Sequence, residues 1–148
     1  MRVTKEAYYL NIARSVINRS TCLRRRYGAI IVKNDEVIST GYNGSPRGTY
    51  NCCDKGFCER EAKNIPSGAN YELCRSVHAE QNAIISASRK DMLGATLYLV
   101  GEDMEGNIID AEPCLLCKRF ILNAGISKVV CKTKDSVKIT IPEKDWEL

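Results

Sequence analysis

The chain has 148 residues, 44% hydrophobic and 27% charged, with a formal net charge of +4. That length suits one domain with a core of its own; no apolar run is long enough for a membrane span, and Met1 to Glu6 lacks the apolar centre of a secretory signal. Eight cysteines against a single histidine exclude a His-rich metal cage and any site that needs two imidazoles, so imidazole chemistry falls to His78.

In chain order, Tyr9, Ile12, Ala13, Val16 and Ile17 recur at the spacing of one buried helix face, with Thr4 as N-cap and an end near Ser20. Tyr27 to Lys33 reads as a buried strand, Asn34-Asp35 as a turn, and Glu36 to Tyr42 as the return strand of a hairpin. From Asn43 to Arg75 periodicity disappears, and this stretch holds Gly44, Pro46, Gly48, Gly56, Pro66 and Gly68 together with four of the eight cysteines. A loop this long is unusual in a compact domain, so it either carries function or is held by something other than a core.

Periodicity returns at His78: Ala79, Ala83, Ile84 and Ala87 share one face of a helix expected to run to about Lys90, and Gly94 breaks it. Ala95 to Val100 is an apolar strand, and Gly101 to Glu112 a polar excursion with a turn. Pro113 stands at a helix start, Cys114 to Asn123 form the helix, Gly125 caps it, and Ile126 to Cys131 form the next strand. Val137, Ile139 and Ile141 alternate as an edge strand before Pro142. The order α-β-β-α-β-α-β gives an α/β fold: a hairpin leading into a mixed sheet, with crossover helices. The expectation is a single domain over residues 1–148 with a Cys-rich insert at about 43–75.

Two fragments carry the chemistry: His78-Ala79-Glu80 and Pro113-Cys114-Leu115-Leu116-Cys117. Each opens a predicted helix. Cys114 and Cys117 share one face of a first turn, where the helix N-terminus favours thiolates. With a neutral nitrogen from His78 they supply three ligands and leave the fourth tetrahedral position of Zn²⁺ open, as in catalytic zinc sites. Zinc lowers the pKa of water there, and Glu80 is placed to move protons as general acid and base. The H-x-E…P-C-x-x-C pattern is a known signature of zinc nucleobase deaminases. A reducing cytoplasm, the expected location, favours metal or catalysis over disulfides for such cysteines.

Further residues make the resemblance specific. Thr21-Cys22-Leu23-Arg24, Tyr27 to Val32, Gly41-Tyr42-Asn43-Gly44-Ser45-Pro46, His78 to Ile84, Ala95 to Tyr98, Pro113 to Cys117 and Gly125-Ile126 together resemble the deoxycytidylate (dCMP) deaminases of the cytidine deaminase superfamily, over nearly the whole chain. The resemblance implies a five-stranded mixed sheet flanked by helices with zinc between two of them, and hydrolytic deamination of dCMP to dUMP and ammonia. It implies that Asn43 bonds the sugar, with Ala79 at the substrate and Arg89 as a further contact; Arg24 is a candidate contact by its own chemistry. It also implies a homo-oligomer, often a hexamer, and dCTP and dTTP as effectors near Gly41, Tyr42, Asn43 and Gly44, with Mg²⁺ accompanying a nucleotide effector. The Gly101–Glu112 insert departs from the family pattern.

Some relatives hold a second, structural zinc, which implies a closed site from Cys22, Cys53, Cys58 and Cys74, with Cys52 as the alternative to Cys53. Cys131 reads as a buried strand residue. Arg24-Arg25-Arg26 suits phosphate or a solvated surface equally. Two other functions fit parts of the pattern: a tRNA adenosine deaminase, which shares HAE and PCxxC, and a non-catalytic zinc protein associated with DNA uptake. The GYNG segment and the Cys-rich loop favour the deoxycytidylate branch, with no membrane or nucleic acid as partner, and Glu80 speaks against a purely structural site.

Overall fold

The computed structural model describes residues 1–148. Helix α1 (Lys5–Val16) opens with Thr4 Oγ1 accepting from the Ala7 amide and ends in a 3₁₀ turn at Ile17–Arg19. Strands β1 (Arg25–Lys33) and β2 (Glu36–Tyr42) form the expected hairpin. Its turn places Asn34 and Asp35 at φ +51° and +62°, the left-handed pair that matches strand twist.

The Cys-rich segment is less featureless than its sequence suggests. It contains α2 (Cys52–Lys55), α3 (Glu59–Ala62) and a 3₁₀ turn at Tyr71–Leu73. The expected single helix from His78 to Lys90 is two: α4 (Ala79–Ile85) and α5 (Arg89–Met92). Ser88 divides them, because its hydroxyl accepts from the Asp91 amide and starts a new helix. Strand β3 (Thr96–Asp103) runs three residues beyond Val100, and β4 (Ile108–Ile109) folds back on it. The polar insert is therefore a hairpin arm of the sheet, its turn tied by Asp103 Oδ1 accepting from the Glu105 and Asn107 amides. Helix α6 (Leu115–Ala124) ends at Gly125, whose φ of +81° suits glycine. Strands β5 (Lys128–Lys132) and β6 (Val137–Thr140) follow, and a short α7 (Pro142–Asp145), unmarked by any periodicity in the sequence, closes the chain.

The α/β class holds. Five strands form the continuous path β2-β1-β3-β5-β6, and β4 adds a sixth off that path. Only the β3–β5 pair is parallel, bridged by α6 as crossover. Strand parity divides the core. Ile30, Val32, Tyr98, Val100 and Val130 face α1, while Ala29, Ile31, Leu97, Leu99, Val129 and Cys131 face α4 and α6. The helices that carry the two sequence fragments thus lie on the same face of the sheet. No helix is long and apolar enough to cross a membrane.

Candidate active site

Helix α4 is seated by the hairpin. A Cβ at Gly41 would lie 2.3 Å from the Ala79 carbonyl oxygen and 2.4 Å from the Ala83 nitrogen, so only glycine lets α4 approach β2 this closely. Asn82 Nδ2 donates to the Tyr42 carbonyl at 2.7 Å. Gly44 and Val77 exchange backbone bonds of 3.1 and 2.7 Å, fixing the residue before His78. The His78 amide donates to Gln81 Oε1 at 2.9 Å. On α6, Cys114 is the N-cap and Cys117 is fully buried one turn later.

These two helix starts bring His78 Nδ1 to 3.5 Å from Cys114 Sγ and 3.3 Å from Cys117 Sγ. Zn–N and Zn–S bonds of ordinary length at the tetrahedral angle put nitrogen and sulfur about 3.5 Å apart. The donor set therefore fits zinc, and all three ligand atoms lie within 4.8 Å of one another. The Cys114 thiol is pushed down to about 4, first by the Cys117 thiol and then by the His78 ring and the Cys117 amide. Cys117 is pushed up, because Cys114 beside it holds the negative charge and burial adds to the effect. The His78 imidazolium is favoured by its hydrogen bond to Cys114. Glu80 is 5% exposed, and burial raises its carboxyl pKa against the pull of its own amide and of His78.

A cavity of about 490 Å³ opens on this corner, lined by His78, Ala79, Glu80 and Cys114 and, from the other side, by the Cys-rich segment. Its size suits a small-molecule ligand. Asn43 lines it too, but most of its side chain is committed to the backbone. Oδ1 accepts from the Tyr27 amide and the Ser20 hydroxyl at 2.8 and 2.7 Å, and Nδ2 donates to the Arg25 carbonyl at 2.9 Å. One N–H remains for a ligand. Arg24 lines the cavity while paired with Glu61 at 2.9 Å.

Two of the expected residues lie apart from the rest. Arg89 is not in the cavity: it begins α5, and its Nε donates to the Asn123 carbonyl at 3.1 Å, joining α5 to the end of α6. Cys53 is exposed, with Sγ turned to Asp54, whereas Cys52 is buried. The phase of α2 separates these neighbours: only one of two consecutive helical residues faces inward. Cys22, Cys58 and Cys74 do line the cavity. Their thiols do not converge as tightly as the His78 cluster, which is the one set of three within 4.8 Å. Sequence reasoning passes over Tyr27 and Arg60, both cavity residues; a lone arginine in a polar loop sits in no pattern that would mark it.

An α/β sheet that presents one imidazole, two thiols and a buried carboxylate from neighbouring helix starts defines the class as a zinc-dependent hydrolase. Residues 3–133 match the cytidine and deoxycytidylate deaminase zinc-binding region. The chain belongs to that family. It is 37% identical over 130 residues to the deoxycytidylate deaminase of Mycobacterium phage D29, covering 84% of this chain and 91% of that one. It is 40% identical over 132 residues to the deoxycytidylate deaminase of Saccharomyces cerevisiae, covering 88% of this chain and 38% of the longer yeast protein. The dCMP deaminase of cyanophage S-TIM5, solved in complex with dCMP and dUMP, superposes with a TM-score of 0.66 at 28% identity, covering 90% of this chain and 84% of that one.

Proposed function

We propose that this chain, acting as one catalytic domain over residues 1–148, deaminates dCMP hydrolytically to dUMP and ammonia. The observation that carries the reading is the buried Glu80 beside the His78–Cys114–Cys117 donor set, in a cavity of nucleotide size. When bound, zinc supplies the Lewis acidity that makes water nucleophilic near neutral pH. His78 Nδ1 and the two sulfurs would hold it between the starts of α4 and α6. The Glu80 carboxylate takes water's two protons in turn, passing one to N3 of the ring and one to the amino group; C4 gains the oxygen as its bond to the amino nitrogen breaks and ammonia leaves. Burial raises the Glu80 pKa, which suits a group that both takes and gives a proton. Ala79, fully buried at the first position of α4, leaves room for the ring, and the free N–H of Asn43 is available to the sugar. Comparing dCMP, cytidine and a tRNA anticodon stem-loop as substrates by HPLC tests the reading. Turnover of dCMP is expected; turnover of the RNA alone would overturn it.

We further propose a second, structural zinc held by Cys22, Cys52, Cys58 and Cys74, with Cys52 in place of Cys53. In support, Cys22, Cys58 and Cys74 line the same cavity, and the Cys53 amide donates to the Thr21 carbonyl at 3.2 Å, which holds the start of α2 against the residue before Cys22. The amides of Arg24 and Ser76 each donate to a sulfur two residues earlier, Cys22 and Cys74, at 3.4 Å, the kind of support that ligating sulfurs receive. All eight cysteines are free of disulfides, so their thiols are available to metal. Metal analysis is expected to find two zincs per chain and one in Cys58→Ser. One zinc in both would remove the proposal.

The reading extends to a homo-oligomer, a hexamer, regulated by dCTP and dTTP near Gly41–Gly44 with Mg²⁺ accompanying the nucleotide. Exposed Leu115, Leu116 and Phe120 on α6 support an interface, and the bonds from Tyr42 and Gly44 to the α4 region give an effector a mechanical route to His78. Sedimentation and dCMP kinetics with and without dCTP test both.

A further inference from the structure

Four cations line the cavity: Arg24, Arg25, Arg60 and Lys118. Two are neutralised, Arg24 by Glu61 at 2.9 Å and Lys118 by Glu112 at 3.3 Å. Arg25 has no carboxylate partner, but it is exposed and water solvates it. Arg60 differs. It is 7% exposed and forms no ion pair.

Both hydrogen bonds of Arg60 leave from Nη2, to the carbonyls of Pro66 at 2.8 Å and Ala69 at 2.5 Å. Tyr71 lies 5.0 Å from the guanidinium carbon. Nε is buried and has no partner. Carbonyl dipoles and an aromatic face soften the burial of a cation but supply no counter-charge. A guanidinium cannot escape by giving up its proton. The three acids in the cavity wall are engaged elsewhere: Glu80 belongs to the corner with His78 and the two cysteines, Asp110 accepts from the Lys134 amide at 2.8 Å, and Glu112 faces Lys118 and Lys138. The remaining place for a negative charge is the cavity itself.

We propose that Arg60 is a specificity-determining residue that binds the 5′-phosphate of the substrate and so separates nucleotide from nucleoside. The proposal rests on the deaminase reading of the same site. With Nη2 held by two carbonyls, Nη1 keeps two N–H groups that no protein atom accepts, and these can make directed, charge-assisted bonds to phosphate oxygens; Arg25 adds the second positive charge that a phosphate dianion calls for. The Cys-rich segment thereby gains a role, since its helix α3 carries a buried cation to the cavity.

The test compares kcat/KM for dCMP and deoxycytidine in wild type, Arg60→Gln and Arg60→Lys, with inorganic phosphate as an inhibitor against dCMP. In Arg60→Gln the dCMP value is expected to fall about 10- to 150-fold, the range for losing a hydrogen bond to a charged group, and the deoxycytidine value far less. Lysine restores part of the preference by keeping the charge without the directed N–H pair of Nη1. Phosphate competes with dCMP in wild type and more weakly in the glutamine variant. A parallel fall for both substrates would mark Arg60 as a loop staple and overturn the proposal, as would an unmoved ratio. If Arg60→Gln does not fold, the lysine ratio and wild-type phosphate competition decide, and an absence of competition counts against. A wild type that ignores dCMP fails the deaminase reading itself; one that turns over dCMP with the preference unchanged in the variants fails only this inference.

Discussion

The two walls of the cavity are held together in different ways. The zinc corner rests on the sheet: Ala79, Ala83 and Cys117 are fully buried, and the helices that carry them share an apolar core with Leu97, Leu99 and Ile121. Opposite it, between Ser45 and Arg75, the buried residues are Cys52 and Arg60, a thiol and a cation. Apolar burial is non-directional and is complete before any ligand arrives. A wall built on a thiol and a charge is completed by what binds to it. The chemistry is therefore preformed, while recognition depends on the less stable wall.

Mutations separate the two walls by size of effect. The largest is expected for His78→Ala, which removes the one imidazole donor; dCMP turnover vanishes by assay, and metal analysis falls from two zincs per chain to the one on the cysteine loop. Protons reproduce that loss reversibly. The hydrogen bond to Cys114 raises the His78 pKa, so the ring keeps its proton to a higher pH than usual. Metal needs the neutral ring, so affinity is gained as pH rises through that raised value and lost as it falls. Next is Glu80→Gln, which keeps fold and metal but lowers kcat by about 10²- to 10⁴-fold; unchanged turnover would refute the proton-transfer role. Leu97→Ala, in the fully buried core beneath the corner, costs about 2–5 kcal/mol in denaturant unfolding.

Gly41→Ala tests the seating of α4. Its new methyl meets backbone rather than a flexible side chain, for a cost of about 1–3 kcal/mol with a matching drop in kcat. The smallest effect belongs to the loop wall. Arg24→Ala breaks a pair whose side chains are 35% and 60% exposed, and should change stability by no more than about 1 kcal/mol. A loss as large as that of Leu97→Ala would mean the two walls are not built differently after all.

The sequence is most legible where one physical signal dominates. Strand β2 is expected at Glu36–Tyr42 and lies there, because alternation, the Asn34-Asp35 turn and the close of the hairpin agree. The zinc corner is legible because residue type and spacing are themselves the chemistry. Elsewhere, equal residue types hide different roles. Cys52 and Cys53 are indistinguishable in composition, and only the phase of a four-residue helix turns one inward. Arg89 and Arg60 are both arginines in short helices, and tertiary placement alone puts one outside the cavity and the other inside. The break at Ser88 escapes periodicity because apolar spacing continues through Ala87, while the cap depends on one hydroxyl. The β4 arm escapes it because two residues are too few to show a period.

The bridge between Gly44 and Val77 makes the two walls one thermodynamic system. It joins the start of the loop to the residue preceding His78 of the proposed zinc site, so on that proposal order in the loop and retention of the metal are coupled, and coupling of equilibria is reciprocal. Whatever factor a bound nucleotide adds to the affinity for zinc, zinc must add to the affinity for that nucleotide. Where that factor exceeds one, an enzyme saturated with nucleotide keeps its metal against more chelator than an idle one does, and idleness itself becomes the condition under which it decays.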